Sequence, residues 1–138
     1  DREAFALPRG LAHEETFDFS FSGLKTATAT ILQKTEEISD LAASFQWAVV
    51  EVLVERTIAA AKAHKIQSIA LSGGVAANTL LREELAGRGR EEGLYVSLPP
   101  VELCTDNAAM IAAVGSFRLE RGERHSWDLN AVPNLPLP

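Results

Sequence analysis

Ile66-Gln-Ser-Ile-Ala-Leu71-Ser72-Gly73-Gly74-Val-Ala-Ala-Asn78-Thr-Leu-Leu81 is a short apolar run, broken by two glycines and resumed as a helical pattern. Ile66 to Leu71 reads as a buried strand. Ser72, Gly73 and Gly74 end it, and a helix begins near Asn78 with Leu80, Leu81 and Leu85 on one side. A strand ending in glycines before a helix is where an α/β protein exposes backbone to a ligand. Without Cβ atoms the chain turns sharply and approaches a nucleotide closely, while the helix start offers free N–H donors. The Asn78 amide both donates and accepts, so it suits a base or a ribose. A tight turn with Asn78 as helix N-cap explains the same residues, and local pattern leaves both readings open.

Upstream of this turn the longest helix is expected from about Ile38 to His64. Leu41, Phe45, Ala48, Val49, Val52, Leu53 and Ala59 or Ala60 recur at three- and four-residue steps. Ser39 or Asp40 is its expected N-cap. Trp47 lies off that stripe and reads as packing against a neighbouring element. His64 near the helix end complements the dipole and needs no functional explanation. Downstream, the helix from Asn78 to about Arg88 is expected to end in the polar Gly-Arg-Gly-Arg stretch. Arg82, Arg88 and Arg90 form a local basic cluster just past the glycine turn, which a solvated helix face explains at least as well as a nucleic-acid contact. Leu94 to Leu98 forms a second short strand, stopped by Pro99 and Pro100.

Two further stretches carry polar groups beside helix starts. Phe17, Phe19 and Phe21 alternate with Asp18 and Ser20, predicting a short strand that runs through Ser22-Gly23 into a helix over Leu24 to Gln33. Asp18, Ser20 and Ser22 suit ribose, phosphate or Mg²⁺ contacts, and helix capping by the serines explains them equally. Lys25 is placed to neutralise a phosphate or simply to be solvated. In Val101-Glu-Leu-Cys104-Thr105-Asp106-Asn107-Ala-Ala-Met110, a helix starting near Asp106 carries Met110, Ile111, Val114 and Phe117 and ends near Gly122. Thr105 or Asp106 is its expected cap, and the Asp106 carboxylate is also a competent metal ligand.

Composition narrows the function classes. A chain of 138 residues with 46% hydrophobic content buries about one domain's core. A net charge of −6 argues against gripping nucleic acid by charge alone. A single cysteine, Cys104, excludes an intramolecular disulfide framework and fits a reducing, cytoplasmic compartment, where a buried thiol is expected. No stretch is long enough for a leader or a membrane span, so no membrane partner is expected. Residues 1–16 read as a linker or surface loop, 17–124 as an α/β segment and 125–138 as an irregular tail. No catalytic constellation is complete. His13, His64 and His125 lack metal-ligand spacing, and no nucleophile elbow or P-loop occurs.

Taken together, Asp18-Phe-Ser-Phe-Ser-Gly-Leu-Lys-Thr26, Ser72-Gly-Gly-Val-Ala-Ala-Asn78 and Cys104-Thr-Asp-Asn-Ala-Ala-Met-Ile-Ala112 occur in order over about ninety residues. In this the chain resembles the C-terminal part of the TsaD/Gcp family, the tRNA adenosine threonylcarbamoyltransferases once labelled O-sialoglycoprotein endopeptidases. The resemblance implies the two-domain actin-like, Hsp70-type ATPase (ribonuclease H-like) fold, here as a helix-rich α/β segment with a few short strands. It implies transfer of threonylcarbamoyl from threonylcarbamoyl-adenylate to N6 of the adenosine beside the tRNA anticodon. The implied binding residues for the adenylate or an adenine nucleotide are Asn78, Gly73 and Gly74, with Ser22 a weaker candidate. The implied metal ligand is Asp106. The family's other two ligands are an upstream histidine pair that this sequence does not contain; the metal is iron or zinc, with magnesium as the alternative. The implied partners are tRNA and TsaB- and TsaE-like companion proteins. Residues 1–138 are therefore expected to be a segment of a longer enzyme, inactive alone. A metallopeptidase, after the old family label, and a non-catalytic nucleotide-binding or assembly module are the alternative readings. No zinc-protease motif supports the former.

Overall fold

A computed structural model describes residues 1–11, 16–128 and 130–134. His13, Glu14 and Glu15 of the expected linker, and parts of the expected tail, lie outside the described residues. The described chain is helix-rich with one two-stranded parallel sheet, in order α1 (Ser22–Leu32), α2 (Ile38–Ala63), β1 (Ser68–Ala70), α3 (Thr79–Glu91), β2 (Tyr95–Ser97) and α4 (Ala108–Glu120). The α/β class expected from the glycine turn is what the chain adopts.

The long helix α2 organises the rest because it is apolar on two sides. On one side Trp47, Val50, Val54 and Ile58, spaced three and four apart, meet Leu81 and Leu85 of α3, with Ile69, Leu71 and Val96 of the sheet region packed against them. On the other, Leu41 and Ala48 meet Leu24 of α1 and Leu7 of the N-terminal segment. The stripe read from the sequence traced the Leu41–Ala48 side. Val50, Val54 and Ile58 form the second buried side, and Ala59 is exposed. A helix covered on both sides has no single stripe to read. Trp47 packs as expected: it is buried, with the guanidinium of Arg2 4.1 Å from its ring centroid. Residues 1–11 form no helix or strand, yet Arg9 donates to Glu51 at 2.7 Å and the Phe5 N–H donates to the Ser44 hydroxyl, holding Leu7 in the core.

The α3 crossover from β1 to β2 explains why the strands are parallel. Ser68 pairs with Tyr95, Ile69 with Val96 and Ala70 with Ser97. Each strand is entered from a helix that ends in a left-handed residue. After α2 this is Lys65, with the Ile66 N–H donating to the Ala61 carbonyl at 2.8 Å; after α3 it is Gly93, with the Leu94 N–H donating to the Gly89 carbonyl at 2.8 Å. The expected strand Ile66–Leu71 shrinks to three residues and is not buried on both faces: Ile66 is half exposed. A sheet of two strands has two edges and cannot enclose either strand.

Three other expectations are corrected. Phe17–Phe21 makes no strand; among the described residues no strand lies beside its backbone to pair with it, and it is held by Arg56 of α2, which donates to the Leu11, Thr16 and Asp18 carbonyls. Helix α3 runs through the Gly-Arg-Gly-Arg stretch to Glu91. Gly89 sits there because Val96 of β2 packs on it: a Cβ on residue 89 would lie 2.5 Å from the Val96 side chain. Replacing Gly89 by alanine is therefore expected to cost about 1–3 kcal/mol by overpacking, despite alanine's better helix propensity, read as a lower urea midpoint. Finally, α2 has no side-chain N-cap: neither Ser39 nor Asp40 takes that role.

Candidate functional site

Two loops at the same end of α3 carry the polar groups singled out from the sequence. The first is the glycine turn. Gly73 has φ +84° and ψ 175°, a conformation that strains any residue with a Cβ. Gly74 is unstrained, and a Cβ at either glycine would meet nothing within 4 Å, so the outer side of the turn is open. From Gly74 to Ala77 the chain winds as a 3₁₀ turn, with Ala76 buried and its N–H donating to the Gly73 carbonyl at 2.9 Å.

This turn delivers Asn78 to the N-cap of α3. Its Oδ1 accepts from the Leu81 N–H at 3.0 Å and from the Gln46 amide at 3.1 Å. Both acceptor positions of that oxygen are thereby used. The Asn78 NH₂ group makes no hydrogen bond among the described residues, so the side chain presents donors outward. Asn78 thus caps the helix and still keeps a free polar group. Beside it, a cavity of about 280 Å³ between α2 and the turn is lined by Phe45, Val49, Leu53 and Val75, with Gln46 and Asn78 among its polar groups.

The second loop follows β2. Pro99 and Pro100 lead into a 3₁₀ turn, Val101–Leu103, and then to Cys104, whose thiol is buried as expected and lies 3.5 Å from the Pro100 carbonyl. The expected cap of α4 is corrected: Asn107, not Thr105 or Asp106, takes that role. Its backbone is extended and its Oδ1 accepts from the Met110 N–H at 2.9 Å, while its NH₂ donates to the Thr105 carbonyl at 2.9 Å. The Asp106 carboxylate is exposed and makes no hydrogen bond or ion pair among the described residues.

Arg82 joins the two loops. Its Nη1 donates to the Ala76 carbonyl in the glycine turn at 3.0 Å and points at Cys104 Sγ at 3.7 Å; its Nη2 donates to the Pro99 carbonyl at 2.7 Å. The expectation of a solvated arginine face fails here. A guanidinium offers five N–H donors in a rigid plane, which suits it to bridge backbone carbonyls. Arg88 is engaged as well, with Glu84 and Glu55, leaving Arg90 exposed. Sequence reasoning missed Arg82 and Gln46 as parts of the site. The available signal for Arg82 was its place four residues after the cap; nothing distinguishes Gln46 locally.

Ser22 stands apart. It is the exposed first residue of α1, no side chain caps that helix, and no hydrogen bond joins the Ser22 hydroxyl to either loop among the described residues. Capping by these serines is therefore not their role. As to metals, Asp106 is an unengaged hard oxygen ligand and fits as one member of a ligand set. No group of three or more histidine, cysteine or acidic side chains gathers among the described residues. The described residues do not complete a metal centre. No described helix is long and apolar enough to cross a membrane.

Residues 1–113 match the family described as TsaD: tRNA N6-adenosine threonylcarbamoyltransferase. Curated relatives with that name include one from Symbiobacterium thermophilum, 53% identical over 99% of this chain and 41% of its own length. One from Clostridium botulinum is 50% identical over 99% of this chain and 42% of its own length. Another, from Magnetococcus marinus, is 45% identical over 99% of this chain and 40% of its own length. The chain spans about two fifths of the length of these relatives.

Proposed function

The chain belongs to the TsaD family of tRNA N6-adenosine threonylcarbamoyltransferases, and from this we propose that it forms the C-terminal segment of such an enzyme. In the proposed reaction, the N6 amine of a tRNA adenosine attacks the carbamoyl carbon of threonylcarbamoyl-adenylate. The new C–N bond replaces the bond from that carbon to the phosphate oxygen, AMP departs, and N6 gives up a proton. The fold of the whole enzyme would be the two-domain actin-like ATPase architecture, to which this segment contributes the α/β unit around the glycine turn.

One observation supports the reading best: Asn78 has its oxygen fully occupied and its NH₂ without a partner among the described residues, beside an open Gly73-Gly74 turn. Donors fixed in this way suit an acceptor on the adenylate, such as a ring nitrogen or a ribose oxygen. The glycines leave room for that ligand to approach the backbone. Holding the adenylate in place would supply the positioning that a weakly nucleophilic aromatic amine requires. Asp106 would contribute one ligand to a metal completed by residues outside this chain, a Lewis acid suited to charge developing on oxygen during acyl transfer.

The test is a graft. Residues 1–138 replace the matching C-terminal part of the Symbiobacterium thermophilum relative, and threonylcarbamoyl transfer to tRNA is measured with threonylcarbamoyl-adenylate as donor. Transfer is the expected result; a well-folded graft without transfer would refute the reading. Within the graft, Asn78→Ser retains a capping oxygen but removes the outward NH₂. It is expected to raise KM for the adenylate by about tenfold with little change in melting temperature, as loss of one hydrogen bond to a bound ligand would.

A further inference from the structure

We propose that Arg82 is a positioning residue that fixes the Asn78 turn relative to the Cys104–Asp106 loop, so that both halves of the site hold one geometry. This rests on the reading of Asn78 and Asp106 given above. The geometry is specific. One guanidinium reaches a carbonyl on each of two loops, Ala76 two residues before Asn78 and Pro99 five residues before Cys104, and also contacts the Cys104 thiol. Ala76 and Cys104 are both buried, so Arg82 ties the two loops together at anchored points. Asn78 follows the first anchor, and Asp106 lies two residues beyond Cys104.

Neither loop belongs to a regular element at the residue that matters. Asn78 lies between a 3₁₀ turn and α3, and Asp106 lies between a 3₁₀ turn and α4. Loops on separate supports drift independently unless cross-linked, and a displacement of about 1 Å can cost on the order of a hundredfold in rate. A lysine at 82 keeps the charge but offers a point donor on a flexible stem, unable to span carbonyls on both loops in one plane. Arginine is therefore required by shape, and not by charge alone.

The experiment uses the active graft, with Arg82→Lys compared with its parent; absence of activity in the parent would strike the functional reading and not this one. Arg82→Lys is expected to lower kcat/KM for transfer by about tenfold to a hundredfold, with the circular dichroism spectrum and cooperative unfolding preserved. The decisive readout is a double-mutant cycle. If Arg82 acts by holding the Asn78 turn, Arg82→Lys raises the adenylate Kd in the parent but adds little in the Asn78→Ser background. Additive effects on Kd, or a kcat/KM within twofold of the parent, would overturn the proposal. Should Arg82→Lys fail to fold, Arg82→Gln keeps a planar amide too short to reach both carbonyls at once. It is expected to lower kcat/KM by about tenfold; parental kcat/KM there would equally overturn it.

Discussion

Asp106→Ala in the grafted enzyme is expected to abolish metal retention and to lower threonylcarbamoyl transfer by about a hundredfold or more, the scale set by losing a ligand of a catalytic ion. Its melting temperature is expected to stay within the small range typical of exposed substitutions. The structural ground is the division of labour at the start of α4. Asn107 caps the helix, and Asp106 is exposed with no hydrogen bond or ion pair among the described residues. Removing its carboxylate therefore removes no interaction with the described residues. The converse substitution separates the roles: Asn107→Ala removes the cap and is expected to cost about 1 kcal/mol of stability, with metal content retained. Metal analysis of the purified proteins together with single-turnover transfer checks both. Undiminished metal and activity in Asp106→Ala would leave that carboxylate without a role.

Leu85→Ala is expected to have the largest effect on stability, about 2–5 kcal/mol, read as a shift in the urea midpoint of the graft. Leu85 is 2% exposed and lies where α3 meets Trp47, Val50, Val54 and Ile58 of α2. Deleting its branched end leaves a cavity in the apolar contact that packs α3, and with it the Asn78 cap, against the long helix. The neighbouring surface offers the contrast: Arg90→Ala on the exposed side of α3 is expected to change stability by less than about 0.5 kcal/mol. Equal effects of the two substitutions would show that the α2–α3 contact is not the core of this segment.

The α/β class, the order of elements from α2 to α4 and the placing of the glycine turn were legible in the sequence because each depends on local spacing. Ile66–Leu71 followed by Gly73-Gly74, and the leucines of α3, are short-range patterns. The same holds for the long helix, although its second apolar side, Val50, Val54 and Ile58, was obscured by the first. Cap identity was legible at Asn78 and not at Asn107, where Thr105, Asp106 and Asn107 stand side by side and all are good caps. Only the backbone geometry selects among them: the residue that is extended while the next is helical takes the role. The phenylalanine alternation at 17–21 misled because a period of two marks a strand only when a neighbour is present to pair with it.

By itself, then, the sequence determined the helices, the two strands either side of α3, the place of the glycine turn and, through three motifs in order, the resemblance to the TsaD family. What the tertiary structure alone decided was how polar groups from distant segments are shared. Gln46 occupies the Asn78 oxygen from 32 residues away, and Arg82 turns from an apparent surface charge into a brace between two loops. The physical reason is that a hydrogen bond depends on direction and distance in space, which residue spacing along one helix does not encode. Hydrophobic periodicity reports which side of a helix is buried; it carries no record of which carbonyl a guanidinium will reach.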